Sequence, residues 1–194
     1  MHDGMSRVKP LPENAERVFK GVIFEIWQWK QQMFDGTTDT FERAKRADTT
    51  VVIATMDGKI VLQVQEQPDS TAPFPCMPGG RFNEGEEPLA CAKRELLEET
   101  GFASDDWVLW KEYRPAEKIE WIVHAFVARD CKKVAEPHLD AGEKVSISLI
   151  DFDEFLALSD NPAFGSTEIT AELLRARLHP EKRDALHALI FGSR

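Results

Sequence analysis

The chain has 194 residues, of which 42% are hydrophobic and 30% charged, and its formal net charge is −10 at pH 7. This length fits one domain with an added subdomain or tail, and the composition is typical of globular proteins. No apolar run approaches the ~20 residues that a membrane-spanning helix needs, and no basic block of the kind that holds long nucleic acid is present. The polar N-terminus and three cysteines without CxxC spacing favour a cytoplasmic protein.

Strand-like segments dominate the first two thirds of the chain. Residues 17–34 are rich in β-branched and aromatic side chains, and Asp35-Gly36 is a turn signal, so together with residues 38–46 they predict an N-terminal hairpin. Further strands are predicted at residues 51–55, 59–65, 107–113, 120–128 and 145–150.

Helical patterns follow at residues 87–100 and then near 151–158, 167–178 and 180–191. Asp151 and Ser166 are predicted helix caps, and Pro180 suits a first helical turn. Because strands come first and helices last, the order of the elements predicts an α+β fold.

The helix over residues 87–100 carries an acidic cluster. Glu95, Glu98 and Glu99 stand at positions i, i+3 and i+4, so they share one side of the helix, roughly opposite an apolar face of Leu89, Ala92 and Leu96. Three neighbouring carboxylates repel one another unless a cation neutralises them, and a hard divalent cation prefers oxygen ligands. An exposed acidic helix end is the alternative reading of such a cluster alone.

Two neighbouring features support the metal reading. Arg94 lies four residues before Glu98 and offsets only part of the negative charge. Gly79 and Gly80 precede the helix and allow the backbone to approach closely, so that a carbonyl there could complete a metal's coordination shell.

The acidic cluster belongs to a longer pattern over residues 80–102: Gly80, five residues, Glu86, seven residues, and then Arg94-Glu95-Leu96-x-Glu98-Glu99-x-Gly101-Phe102. This pattern resembles the Nudix box, although Phe102 stands where the family usually has an aliphatic residue. The resemblance implies a Nudix α/β/α sandwich with a mixed β-sheet that hydrolyses a nucleoside diphosphate linked to another moiety. It also implies Mg²⁺, or alternatively Mn²⁺, as the cofactor.

The same resemblance assigns roles within the box. Glu95 and Glu99 should be the main Mg²⁺ ligands, with Glu98 close by and the Gly79 carbonyl as a backbone ligand. Arg94 should orient the glutamates by salt bridging. A bound metal polarises phosphoryl oxygens and makes a bound water more acidic.

Outside the box, the chain resembles the branch of ADP-ribose and nucleoside diphosphate sugar pyrophosphatases, through its strand-rich N-terminus and the sequence Tyr113-x-Pro115. In that branch an acidic loop residue after the box acts as the catalytic base. Glu143 is the first candidate and Asp140 the second, and a solvated loop acid is the alternative for Glu143. If neither acts, Glu98 of the box is the remaining candidate.

Several residues are candidates for binding the substrate. Trp27 and Trp29 lie two apart on one face of a strand and suit either base stacking or packing. An arginine usual in this branch is missing at residues 65–68, and Arg81 could substitute for it. The predicted substrate-binding residues are Arg81, Trp27, Trp29, Arg43, Arg46 and Tyr113.

The sequence thus predicts a flexible leader at residues 1–16, an N-terminal strand extension at 17–47, a Nudix core at 48–160 and a C-terminal helical tail at 161–194. We expect a homodimer that hydrolyses the diphosphate of ADP-ribose or of a related nucleoside diphosphate sugar. A housecleaning nucleoside triphosphate pyrophosphatase is the enzymatic alternative, and hydrolysis of CoA or dinucleoside polyphosphates remains open. A Nudix-fold ligand sensor without catalysis is the alternative of another class, although such proteins usually lose box glutamates.

Overall fold

The computed structural model describes residues 9–139 and 141–192. The first part of the predicted leader, residues 1–8, and Asp140, the second candidate for the base, lie outside these ranges. The strands are β1 (Glu16–Lys20), β2 (Glu25–Gln32), β3 (Thr38–Lys45), β4 (Thr49–Met56), β5 (Lys59–Glu66), β6 (Phe74–Cys76), β7 (Phe102–Ala103), β8 (Asp106–Tyr113), β9 (Ile119–Glu120), β10 (Val123–Arg129), β11 (Lys132–Lys133) and β12 (Lys144–Ile150). The α-helices are α1 (Pro88–Thr100), α2 (Phe152–Ala157), α3 (Thr170–Leu178) and α4 (Pro180–Phe191).

The N-terminal region forms a four-stranded sheet in the order β1-β2-β3-β9. The single strand predicted over residues 17–34 is wrong, because a turn at Gly21–Phe24 divides it into β1 and β2. This turn is closed by the N–H of Gly21, which donates to the Phe24 carbonyl at 2.8 Å. The N-terminal extension is therefore a three-stranded meander with β9 added in parallel, rather than a simple hairpin.

The central sheet is mixed, in the order β12-β5-β4-β10-β8, with β6 paired to β5. β10 runs parallel to β4, and the remaining pairs are antiparallel. Val51, Val52, Ile53 and Ala54 of β4 are all buried, because helices cover both faces of this strand. The parallel pair brings the first residues of β4 and β10 to the same edge of the sheet.

Helix α1 covers one face of the central sheet, where Ala92 and Leu96 join a core cluster with Val52 and Phe126. Helices α2, α3 and α4 cover the other face and contribute to a second cluster. The predicted α/β/α sandwich with a mixed sheet and C-terminal helices is thereby confirmed.

The buried stripe of α1 differs from the predicted apolar face. Leu89 is 38% exposed, whereas Cys91 and Glu99 are buried together with Ala92 and Leu96. The stripe is rotated around the helix toward Glu99, so the acidic cluster does not lie opposite the core as a whole. One of its carboxylates instead lies within the buried face.

Helices α2 and α4 begin within a residue of their predicted starts, whereas α3 begins at Thr170, three residues after the predicted residue 167. Asp151 and Glu154 form a reciprocal capping box at the start of α2, and Pro180 occupies the first turn of α4. Ser166 precedes a 3₁₀ turn at Thr167–Ile169 but makes no side-chain capping bond there, so its predicted capping role is wrong. No helix in the described ranges is long and apolar enough to cross a membrane.

Candidate active site

The loop between β6 and α1 approaches both β4 and the acidic helix. Gly79 adopts a φ of +153°, and a Cβ at this position would lie 2.2 Å from the Thr50 carbonyl oxygen. A Cβ on Gly80 would lie 2.4–2.6 Å from the carboxylate atoms of Glu95. Gly79 therefore requires glycine, because a side chain there would strike the backbone of β4, whereas a side chain at Gly80 would displace the Glu95 carboxylate.

Glu99 is a buried carboxylate at the C-terminal end of α1, 6% exposed. Its Oε2 accepts two hydrogen bonds, from the backbone N–H of Gly79 at 2.9 Å and from Nε2 of Gln63 at 3.0 Å. Burial raises the pKa of Glu99 to about 8 despite these two donors. The site thus contains a carboxylate whose negative charge is incompletely compensated by the protein.

Arg94 links the other box glutamates. Its guanidinium forms a bidentate pair with Glu86, with N–O distances of 2.8 and 2.9 Å, and contacts Glu95 at 2.8 Å and Glu98 at 2.9 Å. The hydrogen bonds from Arg94 lower the pKa of Glu86 to about 2. One guanidinium nitrogen also donates to the Arg81 carbonyl at 3.0 Å, so Arg94 joins the helix to the preceding loop.

The donor set fits a hard divalent cation. Glu95, Glu98 and Glu99 offer carboxylate oxygens, and burial raises the pKa of Glu95 as well as that of Glu99. Within the described ranges, the Pro78 and Gly80 carbonyls accept backbone bonds from β4, whereas no bond to the Gly79 carbonyl occurs. Also within those ranges, no three acidic, histidine or cysteine side chains converge on one point, since Arg94 holds Glu95 and Glu98.

Glu143 lies directly before β12 and is partly buried. The pKa values of Glu95 and Glu99 are raised mainly by the burial of these two side chains, and the negative charge of Glu143 raises both pKa values further. The loop after the box therefore brings a further carboxylate near the acidic helix.

A cleft of about 830 Å³ opens between the N-terminal sheet and the loop before α1. It brings together Trp27, Arg46 and Arg81 of the predicted substrate residues, and Glu86 of the box lies at its edge. Burial lowers the pKa of Arg46, and the positive charge of Arg81 lowers it further, so the two guanidinium groups lie close together. The Nε of Arg46 is buried without a hydrogen-bond partner in the described part of the chain.

The other predicted substrate residues lie elsewhere. Arg43 is 9% exposed and pairs with Glu120 at 2.7 Å, and Trp29 packs against Phe41 beside a different groove. Tyr113 packs on the side of the C-terminal helices, where its hydroxyl is buried without a hydrogen-bond partner among the described residues. Burial raises the pKa of this tyrosine.

One contributor to the site was missed by sequence reasoning. Gln63 is fully buried and donates to Glu99, and the signal available was a glutamine at an inward position of the apolar strand β5. His124 of the apolar strand β10 contacts Phe82, a residue that lines the cleft. Its ring stacks on Phe82 at 5.3 Å between centroids, and Nδ1 lies 3.1 Å from Glu112, so it packs directly beneath the loop that lines the cleft.

The glycine loop packs against the carboxylate-rich helix beside a cleft lined by Arg46 and Arg81. Carboxylates suit a divalent cation and guanidinium groups suit phosphate oxygens, so the site is compatible with metal-assisted phosphate chemistry. Residues 44–173, more than half of the chain, match the family model described as NUDIX domain. The chain therefore belongs to the Nudix family and is a pyrophosphohydrolase of that family. Nudix enzymes generally use a divalent metal and act on small nucleotide derivatives.

Two curated relatives align with most of the chain. An ADP-ribose pyrophosphatase of Bacillus subtilis is 27% identical over 149 residues, covering 75% of this chain and 80% of that protein. A methanol dehydrogenase activator of Bacillus methanolicus is 30% identical over 146 residues, covering 73% of this chain and 78% of that protein. A solved structure titled as an ADP compounds hydrolase has a TM-score of 0.70 at 21% identity, covering 92% of this chain and 98% of its own, and supports the fold.

Proposed function

We propose that the protein hydrolyses the diphosphate linkage of ADP-ribose or of a related nucleoside diphosphate sugar. The observation that carries this proposal is the cleft in which Trp27, Arg46 and Arg81 lie together beside Glu86. An aromatic ring offers a stacking surface for a base, and neighbouring guanidinium groups bind phosphate oxygens. Similarity to the ADP-ribose pyrophosphatase of Bacillus subtilis supports the same substrate class.

In the proposed reaction, water adds across the P–O–P linkage. A new P–O bond forms from the water oxygen, the bond to the bridging oxygen breaks, and a nucleoside monophosphate and a sugar phosphate leave. Arg46 and Arg81 bind the diphosphate oxygens, and Trp27 supports the base. Because phosphoryl transfer depends mainly on positioning and charge neutralisation, these contacts carry much of the expected rate.

Mg²⁺, or Mn²⁺ in its place, would be held by Glu95 and Glu99, with Glu98 and the Gly79 carbonyl nearby. When bound, the cation polarises phosphoryl oxygens and acidifies a bound water. Arg94 holds Glu95 and Glu98 in place through its ion pairs. Glu143 is the proposed general base, which takes the proton of the attacking water.

We further propose that the active form is a homodimer. Among the described residues β1 is the terminal strand of the N-terminal sheet, and four apolar side chains of β1 and the following turn are exposed: Val18 53%, Phe19 58%, Val22 95% and Ile23 51%. An unpaired sheet edge beside an apolar patch favours association with a second copy. This patch continues into the cleft, since Val22 and Ile23 line both.

A panel assay tests the substrate proposal. ADP-ribose, other nucleoside diphosphate sugars, nucleoside triphosphates, CoA and dinucleoside polyphosphates are incubated with Mg²⁺ and with Mn²⁺, and the products are separated by chromatography. We expect the highest kcat/KM for ADP-ribose or a nucleoside diphosphate sugar. A preference of about tenfold or more for a nucleoside triphosphate, equivalent to about 1.4 kcal/mol, would instead support the housecleaning alternative.

A further inference from the structure

The C-terminal tail contacts the segment that leads into the glycine loop. The N–H of Gly165 donates to the Pro75 carbonyl at 2.8 Å, and a Cβ on Gly165 would lie 2.9 Å from the Phe74 ring. The next residue, Ser166, is 5% exposed, and its Oγ accepts the backbone N–H of Met77 at 2.9 Å. The hydroxyl that fails to cap the following turn therefore bonds to a residue 89 positions earlier in the chain.

Met77 is the first residue after β6, where pairing with β5 ends. It is 4% exposed, so its N–H cannot turn to water and needs a partner within the protein. Ser166 provides this partner. The Ser166 hydroxyl thus holds the backbone at Met77, directly after the strand pairing between β5 and β6 has ended.

From Met77 onward, successive hydrogen bonds hold the loop. The carbonyls of Pro78 and Gly80 accept backbone N–H groups of β4 at 2.8 and 2.9 Å, and the N–H of Gly79 donates to Glu99 at 2.9 Å. The Gly79 carbonyl lies between these fixed groups.

This loop has little room to shift. At Gly79 a single added carbon would lie 2.2 Å from the Thr50 carbonyl oxygen of β4. A displacement at Met77, two residues earlier, would therefore shift the Gly79 peptide, because the loop between them has little free space in which to adjust.

We propose that Ser166 is a positioning residue, whose hydroxyl fixes the Met77–Gly80 loop and with it the Gly79 carbonyl, the proposed backbone ligand of the metal. This role rests on the proposed metal site. It gives the C-terminal tail a function in metal binding that the sequence did not assign. Ser166 touches neither metal nor substrate and acts through the loop.

The test compares three variants of the full chain. Ser166→Ala removes the acceptor, and Ser166→Thr keeps a hydroxyl. Ser159→Ala removes a hydroxyl shortly before the tail, which donates to the Leu156 carbonyl at 2.8 Å and accepts from Arg177 at 2.9 Å, away from the loop. Mn²⁺ affinity is measured without substrate, from the electron paramagnetic resonance signal of free Mn²⁺. Hydrogen exchange of residues 74–82 is measured in the metal-free protein by mass spectrometry.

We expect Ser166→Ala to weaken Mn²⁺ binding by about tenfold, at the lower end of the range for groups that orient metal ligands. It should raise the Mg²⁺ concentration for half activity, leave the KM for substrate unchanged and accelerate exchange in residues 74–82. Ser166→Thr should retain most of the affinity, which also guards against general unfolding as the cause. Ser159→Ala should match the wild type.

The proposal is overturned if Ser166→Ala binds Mn²⁺ as tightly as the wild type, or if Ser159→Ala loses as much affinity. Failure of the underlying metal site has a different signature. In that case the wild type and Glu99→Gln bind Mn²⁺ equally weakly, and the positioning role falls with the site.

Discussion

Replacing Glu99 by glutamine should separate the cost of burying this carboxylate from its use in metal binding. The side chain is 6% exposed, and one oxygen, Oε2, accepts both hydrogen bonds. The amide oxygen of a glutamine can accept the same two bonds. The substitution therefore keeps the shape and the hydrogen bonds of the site while it removes the charge.

The magnitude follows from the pKa of Glu99, which burial raises from 4.5 to about 8. Between these values the folded state holds a proton that the unfolded state has released, so stability falls as pH rises, by about 1.4 kcal/mol per unit. The stabilisation is complete below about pH 4.5 and is lost as pH rises through about 8. From pH 4.5 to pH 7 the free energy of unfolding falls by about 3 kcal/mol because of Glu99, and a glutamine at this position does not cause this loss because it does not ionise.

Urea unfolding in EDTA at pH 5, 6, 7 and 8 measures this difference. Glu99→Gln should exceed the wild type in stability by an amount that grows with pH, whereas Mg²⁺ should stabilise only the wild type. Glu98→Gln is the matched control, because its side chain is 45% exposed and the change in stability should stay below about 1 kcal/mol. A difference in the free energy of unfolding between Glu99→Gln and the wild type that does not change with pH would contradict the raised pKa of Glu99.

Turnover of Glu99→Gln should fall by at least about a hundredfold, and near wild-type turnover would contradict the metal assignment.

Two further predictions concern the cleft and the β1 edge. Arg81→Ala should raise the KM for ADP-ribose by about tenfold with little change in kcat, because a lost phosphate contact weakens binding of the ground state and the transition state alike. Steady-state kinetics measure both constants. An unchanged KM would show that Arg81 does not bind the substrate. Phe19→Glu places a charge on the exposed apolar edge and should shift a dimer toward monomer in sedimentation velocity, with Val134→Glu as an exposed apolar control outside the N-terminal sheet. A wild type that sediments as a monomer would contradict the dimer proposal.

The fold and the family could be predicted because their signals are local. The box pattern from Gly80 to Phe102 lies in one segment, and strand periodicity with turn residues located most of the sheet. The error at residues 17–34 arose because β-branched and aromatic side chains continue through the turn. A tight turn at Gly21 leaves Val22 and Ile23 exposed rather than ending the apolar run.

The parts that could not be predicted depend on partners distant in sequence. A helical wheel treats every glutamate as polar and places it outward, whereas Glu99 is buried and accepts a hydrogen bond from Gln63, 36 residues earlier. Arg43 looked like a phosphate ligand, but Glu120, 77 residues later, pairs with it. Ser166 likewise caps no helix because its hydroxyl meets Met77 instead.

Glu143 is the proposed acceptor of the proton from the attacking water, and this assignment can be tested directly by mutation. Glu95 and Glu99 are the proposed metal ligands, and Glu98 pairs with Arg94, so a carboxylate outside the helix is needed. Glu143 lies beside Gly142 at the start of β12, and its charge contributes to raising the pKa values of Glu95 and Glu99.

Removing a general base costs about 10²–10⁴-fold in rate. Glu143→Gln should therefore lower kcat by about this factor, with little change in KM or in the Mg²⁺ concentration for half activity, because the residue binds neither substrate nor metal. Asp140→Asn is the comparison and should do far less. The reverse ranking would assign the base to Asp140. If neither variant lowers kcat, the proton goes to a box glutamate, with Glu98 as the next to test, and the loop residue has no catalytic role.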